Sequence, residues 1–149
     1  IADSLSIARY IDGNNILDVG TGAGLPGIPL AVLYPEKKFT LLDSVGKKIQ
    51  FLRDVVRKLN LDNVTLVQSR VEHFSCSNLF DMIVARAVAT VGQIVQQSEH
   101  LLASGGSFVL QKGKLPAEEL GQVAQPCKVE SLTVPLLAAE RHVVIIGME

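Results

Sequence analysis

The sequence predicts an α/β protein: a doubly wound, mostly parallel sheet with an antiparallel C-terminal edge. Three observations predict it. Short apolar runs alternate with helical stretches five times, the pattern of parallel strands with helices on both faces. The stretch 16–27, Ile-Leu-Asp-Val-Gly-Thr-Gly-Ala-Gly-Leu-Pro-Gly, reads as a buried strand running into a glycine loop and a helix start. Two final strand-like runs have no helix of normal length between them, which makes the added edge antiparallel.

In chain order, Ile1, Leu5, Ala8 and Ile11 recur at helical spacing and predict the tail of a packing helix. Asp12–Asn15 is a turn. Ile16–Val19 is the first strand, followed by the glycine loop and a helix over about 27–34. Pro26 and Pro29 suit the first turn of that helix, where a missing N–H costs little. Pro35–Lys38 breaks it, and Phe39–Asp43 is the second strand. Lys47–Asn60 is amphipathic, with Ile49, Leu52, Val56 and Leu59 on one face. Val64–Val67 is the third strand and Phe80–Ala85 the fourth with its lead-in. A helix is expected over Val88–Leu102, burying Val91, Ile94, Val95, Ser98, Leu101 and Leu102, with Gly105-Gly106 ending it. Ser107–Leu110 is the fifth strand, and Pro116 opens a short helix to about Ala124. Lys128–Val134 and His142–Ile146 are the last strands.

A chain of 149 residues suggests a single domain over 1–149, large enough to bury a core. The hydrophobic fraction of 48% fits a globular protein, yet no apolar run approaches the ~20 residues of a membrane span, so no membrane association is expected. No signal peptide is visible, and Cys76 and Cys127 are too far apart for a disulfide framework or a metal knuckle. A cytoplasmic, reduced, monomeric protein is the expectation. Because the chain starts at Ile1, further N-terminal sequence is expected ahead of it. Net charge is −1, so any nucleic-acid binding must rest on a local basic patch. His73, His100 and His142 lack metal-ligand spacing, and no metal site is expected.

In an open α/β sheet, ligands bind beyond the carboxyl ends of the strands. The residues of interest are therefore Gly20–Gly27, Asp43-Ser44, Ser69–Glu72, Arg86-Ala87 and Lys112–Lys114. Two cofactors compete for the glycine loop. Gly22-x-Gly24-x-x-Gly27 formally matches a dinucleotide fingerprint, and Asp43 stands 19 residues beyond Gly24, near the offset of a ribose-binding acid. In dinucleotide binders, however, the first glycine follows the strand directly. Here that is Gly20, and the third then falls on Leu25. The other register, Asp18-x-Gly20-x-Gly22-x-Gly24, suits S-adenosylmethionine, which has no pyrophosphate to grip. Its amino and sulfonium groups are favoured by a nearby carboxylate, here Asp18, and Asp43 accepts from the ribose hydroxyls. The chain length leaves no room for a dehydrogenase substrate domain. Asp18 also has a plainer reading, as a cap for the loop's own N–H groups, and Asp43 as an N-cap of the next helix.

Asp18–Leu30, Leu41-Leu-Asp-Ser-x-Gly-Lys-Lys48, Gln68–Glu72, Ala85-Arg-Ala87 and Lys112-Gly113 resemble the GidB/RsmG-type bacterial methyltransferases across essentially the whole chain. The resemblance implies a class I methyltransferase that moves a methyl group from S-adenosylmethionine to a guanine N7 of small-subunit (16S) ribosomal RNA. It places cofactor contacts on Gly20, Leu25, Val71, Glu72 and Arg86. To these the reading of the loop adds Asp18, Gly22 and Asp43. Val71 and Glu72 would meet the adenine. Arg86 is the candidate for orienting the reaction, by binding the cofactor carboxylate, the guanine or a phosphate. The family also carries a further N-terminal helical segment, which is not in this sequence.

Guanine N7 has a free lone pair and no proton, so no general base is required and catalysis rests on orientation. The Asn/Asp-Pro-Pro-aromatic tetrad of amino-group methyltransferases would follow the fourth strand, where Ala85-Arg-Ala-Val88 stands instead. Lys47, Lys48, Arg53, Lys112, Lys114 and Arg141 are candidates for a basic patch. Lys112, Lys114 and Arg141 are the candidate RNA contacts; Lys112 and Lys114 leave a strand at the ligand edge, while Lys47, Lys48 and Arg53 suit a solvated face at least as well. Two other functions fit parts of this pattern: a nicotinamide-binding module, and a non-catalytic RNA-binding protein on the same fold.

Overall fold

In the computed structural model, residues 2–86, 89–113, 117–121, 123–132 and 140–147 are described. Among the described residues, seven strands form one sheet in the order β3-β2-β1-β4-β5-β7-β6. They are β1 (Asn15–Val19), β2 (Lys38–Asp43), β3 (Val64–Gln68), β4 (Phe80–Arg86), β5 (Leu102–Lys112), β6 (Cys127–Ser131) and β7 (His142–Gly147). β1 to β5 are mutually parallel, whereas β7 runs antiparallel to β5 and β6 antiparallel to β7.

The central strands are buried on both sides, as parallel strands under helices must be. On one face Ile16, Phe39, Leu41, Met82, Val84, Val109 and Val143 pack against α2 (Gly27–Leu33) and α3 (Gly46–Lys58). On the other, Leu17, Leu42, Ile83, Phe108, Leu110 and Val144 meet α4 (Val91–Ser98) through Val91, Ile94 and Val95. The chain leaves β1 towards β2 on one side and later enters β4 on the other. That reversal opens a crevice at the carboxyl ends of β1 and β4.

Three stretches differ from the expectation. The helix expected over 88–102 is shorter. Thr90 caps α4 in a reciprocal capping box with Gln93, a single 3₁₀ turn covers Glu99–Leu101, and Leu102 already belongs to β5. Its expected inward residues are nonetheless all buried. Gly105-Gly106 therefore lies inside β5 rather than ending a helix. A Cβ on Gly106 would stand 2.8 Å from the Asp81 carbonyl oxygen, so glycine there lets β5 approach β4.

The N-terminal helix is not continuous. It is α1 (Ala2–Leu5) followed by a 3₁₀ turn at Ala8–Tyr10. The Ser6 hydroxyl donates to the Asp3 carbonyl at 2.6 Å, the local competition that breaks helices at serine. Leu5 is then exposed, while Ile7 and Ile11 are buried. Past β5, α5 (Ala117–Leu120) is one turn long, and β6 ends at Ser131; residues 133–139 lie outside the described residues. Among the described residues, no helix is long and apolar enough to cross a membrane.

Candidate functional site

The turn out of β1 is held from beneath and from the side by two carboxylates. Asp18 accepts the Thr21 hydroxyl at 2.7 Å and the Gly27 N–H at 2.9 Å, both on Oδ2. Asp43, at the end of β2, accepts the Gly22 N–H at 2.8 Å on one oxygen and the Val45 N–H at 2.9 Å on the other. Gly22 and Gly24 sit at φ 59° and 90°, where a side chain would be strained. At Gly24 a Cβ would also stand 2.5 Å from Ile28 Cγ1 and 2.8 Å from Leu52 Cδ2, so the loop can rest on α2 and α3 only as glycine.

Two cavities flank this loop and meet at Gly20. The larger, about 370 Å³, is walled by Gly20, Gly22, Leu25, Lys48, Arg86, Gln111, Lys112 and Arg141, among others. The smaller, about 220 Å³, is walled by Gly20, Asp43, Ser44, Val71, Glu72 and Gln97 among others. Residues 20, 22, 25 and 86 are thus gathered on one side of the loop, and residues 43, 71 and 72 on the other. Lys114 lies outside the described residues.

Several candidates are placed otherwise than their residue types suggested. Asp18 is 0% exposed and lines neither cavity. It braces the loop rather than facing a ligand. The reason is geometric: its side chain falls on the sheet face that the first turn of α2 covers, where Gly27 closes over it. Burial pushes the Asp18 carboxyl up to about 8, against the opposing pull of the Thr21 hydroxyl, the Gly27 N–H and the Arg86 guanidinium. Asp43 is not the helix cap: Val45 holds that position, and Asp43 fixes the Val45 N–H from two residues back. Pro26 is the residue before α2, and Pro29 sits within its first turn.

The cations of the larger cavity divide into two groups. Lys112 is only 10% exposed at its side chain. Its ammonium meets Glu119 of α5 at 2.9 Å and the Ala89 carbonyl at 3.0 Å. Arg141 is held by Asp3, with Nε 3.0 and 3.2 Å from the two carboxylate oxygens. Both therefore differ from the expected free phosphate contacts, because the chain itself supplies their anions. Lys48 and Arg86 are exposed and form no salt bridge among the described residues. In the smaller cavity Glu72 is 3.2 Å from Arg70.

Sequence reasoning missed Asp3 and Gln111. The Gln111 amide donates to the Asp3 carbonyl at 2.7 Å and to its carboxylate at 2.9 Å, which clamps α1 against the end of β5. A strand-end position was the available signal for Gln111. Asp3 had none, because its partners lie 108 and 138 residues away.

The family model for the rRNA small subunit methyltransferase G family, GidB, matches residues 1–144. The chain belongs to this family. A ribosomal RNA small subunit methyltransferase G from Vibrio vulnificus is 47% identical over 151 residues, covering 99% of this chain and 72% of that protein. Another, from Alteromonas mediterranea, is 47% identical and covers 97% of this chain and 70% of its own length. Among solved structures, M. jannaschii TYW2 in complex with AdoMet has a TM-score of 0.76 at 16% identity, covering 97% of this chain and 73% of that one. A likeness at that identity speaks for the methyltransferase fold, in agreement with the mixed sheet described above. The cavities either side of Gly20 lie at the carboxyl ends of the parallel strands, the position at which open α/β sheets generally bind ligands.

Proposed function

We propose that this chain transfers the methyl group of S-adenosylmethionine to N7 of a guanine in small-subunit ribosomal RNA. Family membership makes it a ribosomal RNA methyltransferase with S-adenosylmethionine as methyl donor. The assignment to N7 rests on one observation. Among the described residues, the larger cavity is lined by no carboxylate or imidazole free to take a proton. Its acid, Asp3, is engaged by Arg141 and Gln111, and Asp18 is sealed beneath the loop. A nucleophile that must first be deprotonated is poorly served there. Guanine N7 needs no such help, and for it the requirement is alignment.

The residues fit the donor. A Cβ on Gly20 would meet nothing within 4 Å, so open space lies above the loop for a ligand to approach the backbone. Gly20, Gly22 and Leu25 would carry the methionine side, with Asp43 accepting from the ribose. Val71, only 9% exposed, and Glu72 would hold the adenine by apolar contact and by accepting a hydrogen bond from its amine. Arg86, exposed at the end of β4, would orient the carboxylate of the donor or the incoming nucleotide. When bound, S-adenosylmethionine supplies a methyl group on a positively charged sulfur. The walls then exclude water and align the guanine.

The decisive experiment compares ribosomal RNA from cells with and without the gene, by borohydride/aniline cleavage and primer extension. The expected result is a strand break at a single guanine that depends on the gene. Methylation found at an exocyclic amine or a ribose instead would overturn the N7 assignment.

A further inference from the structure

We infer that the outer face of α3 is a stacking platform for an unpaired RNA nucleotide next to the target, with Phe51 as the platform and Lys47 and Lys48 as its phosphate contacts. The inference rests on the RNA reading above and deepens it.

Phe51 is 54% exposed, and it is the aromatic residue among the exposed large hydrophobics of the described chain. Its neighbours on α3 serve different ends. Ile49 and Leu52 are buried, and Leu52 supports the glycine loop at Gly24. Burying Phe51 as well would have completed the core stripe, but its helical position turns it outward.

Lys47 and Lys48 precede Phe51 by four and three residues, so all three share one surface of the helix. Lys48 lines the larger cavity, and Phe51 stands one turn further from it. The surface is therefore continuous with the place where the target base must lie. The acid nearest Phe51 on the helix, Asp54, is already paired with Arg57 at 3.1 Å. Neither Lys47 nor Lys48 has a salt-bridge partner among the described residues. The first turn of α3 contains these two cations and no acid, the opposite of what the helix dipole favours. Asp43 already meets the Val45 N–H at this helix end, so the charge on offer to a phosphate is that of the two lysines on the outer face.

An aromatic ring one turn beyond two such cations matches a nucleotide in both parts. Unpaired bases stack on aromatic side chains, and the adjoining phosphates meet the cations. The charge complementarity favours RNA over a protein partner, which would use the ring only as apolar bulk.

The chain contains no tryptophan, so Phe51→Trp introduces a single tryptophan whose emission can be excited apart from the two tyrosines. Its emission should be quenched on titration with protein-free small-subunit RNA. In methyl transfer to small ribosomal subunits, Phe51→Ala and Phe51→Leu should each raise KM for the subunit roughly 5- to 100-fold. Phe51→Tyr should stay near the parent, and calorimetric affinity for S-adenosylmethionine should be unchanged in all variants. Unaltered emission, an unchanged KM in Phe51→Ala, or a leucine variant as good as the tyrosine one would each overturn the platform. If the parent chain transfers no methyl group, the proposed function fails, while the fluorescence titration still decides the platform.

Discussion

Asp18 and Gly27 lie on opposite sides of the glycine loop, and one hydrogen bond joins them: the Gly27 N–H donates to Asp18 Oδ2 at 2.9 Å. A Cβ on Gly27 would stand 2.7 Å from that same oxygen and 2.8 Å from Leu41 Cγ. The start of α2 is thus seated directly on a buried carboxyl. The loop between them, which carries Gly20, Gly22 and Leu25, has its length and path fixed at both ends.

Gly27→Ala forces this contact apart. The neighbours are a buried carboxyl and a fully buried leucine, which cannot step aside. The expected cost is about 1–3 kcal/mol of stability, as for other overpacked cores. Thermal denaturation checks it, and calorimetry should show weaker S-adenosylmethionine binding because Leu25 is displaced with the helix start.

Asp18 makes stability depend on pH in a defined direction. Its pKa is raised from an ordinary 3.8 to about 8 in the folded chain, chiefly by burial. The folded state then holds a proton that the unfolded state has released. Stability contributed by this group is present in full below the ordinary pKa. It is lost as pH rises towards the folded value, and changes little above it. Asp18→Asn should flatten the slope of unfolding free energy between those two pH values, measured by urea denaturation across the range. An unchanged slope would show that the carboxyl is ionised in place.

Asp43→Ala removes the acceptor of the Gly22 and Val45 N–H groups, which loosens the loop, and it takes away the proposed ribose partner. Calorimetric titration with S-adenosylmethionine should show a loss of roughly tenfold or more, in line with hydrogen bonds to a charged group. NAD should not bind either chain. Affinity equal to the parent would refute the ribose assignment.

Asp3→Ala unlatches the N-terminal helix. Arg141 and the Gln111 amide lose their shared acceptor in a half-buried setting. The expected loss is about 1–3 kcal/mol, read as a lower melting temperature. Because Arg141 lines the larger cavity, KM for the ribosomal subunit should rise in the same variant while S-adenosylmethionine affinity holds.

Much of the fold was legible along the chain. Strand-forming runs such as Phe39–Asp43 and Val64–Val67 fall within the observed β2 and β3, because apolar β-formers bounded by turn residues leave a local signal. The capping box at Thr90 and Gln93 is equally local, and it sets the start of α4 at Val91 rather than at Val88. β5 extends back to Leu102 for a non-local reason: Leu102 pairs with Phe80 of β4, and no local pattern announces such a partner.

By itself, the sequence determined the parallel α/β class, the glycine loop after β1 and the strand-end positions that wall the two cavities. These follow from periodicity, from glycine's conformational range and from the chemistry of a loop at a helix start. Only the tertiary structure decided what each charge does. Asp18 is sealed under the first turn of α2, Lys112 is matched to Glu119, and Arg141 is matched to Asp3. Lys48 and Arg86, of the same residue types, are left without an ion pair among the described residues. The difference lies in burial and in partners brought from distant parts of the chain, since a charge taken out of water must find an opposite one or give up its ionisation.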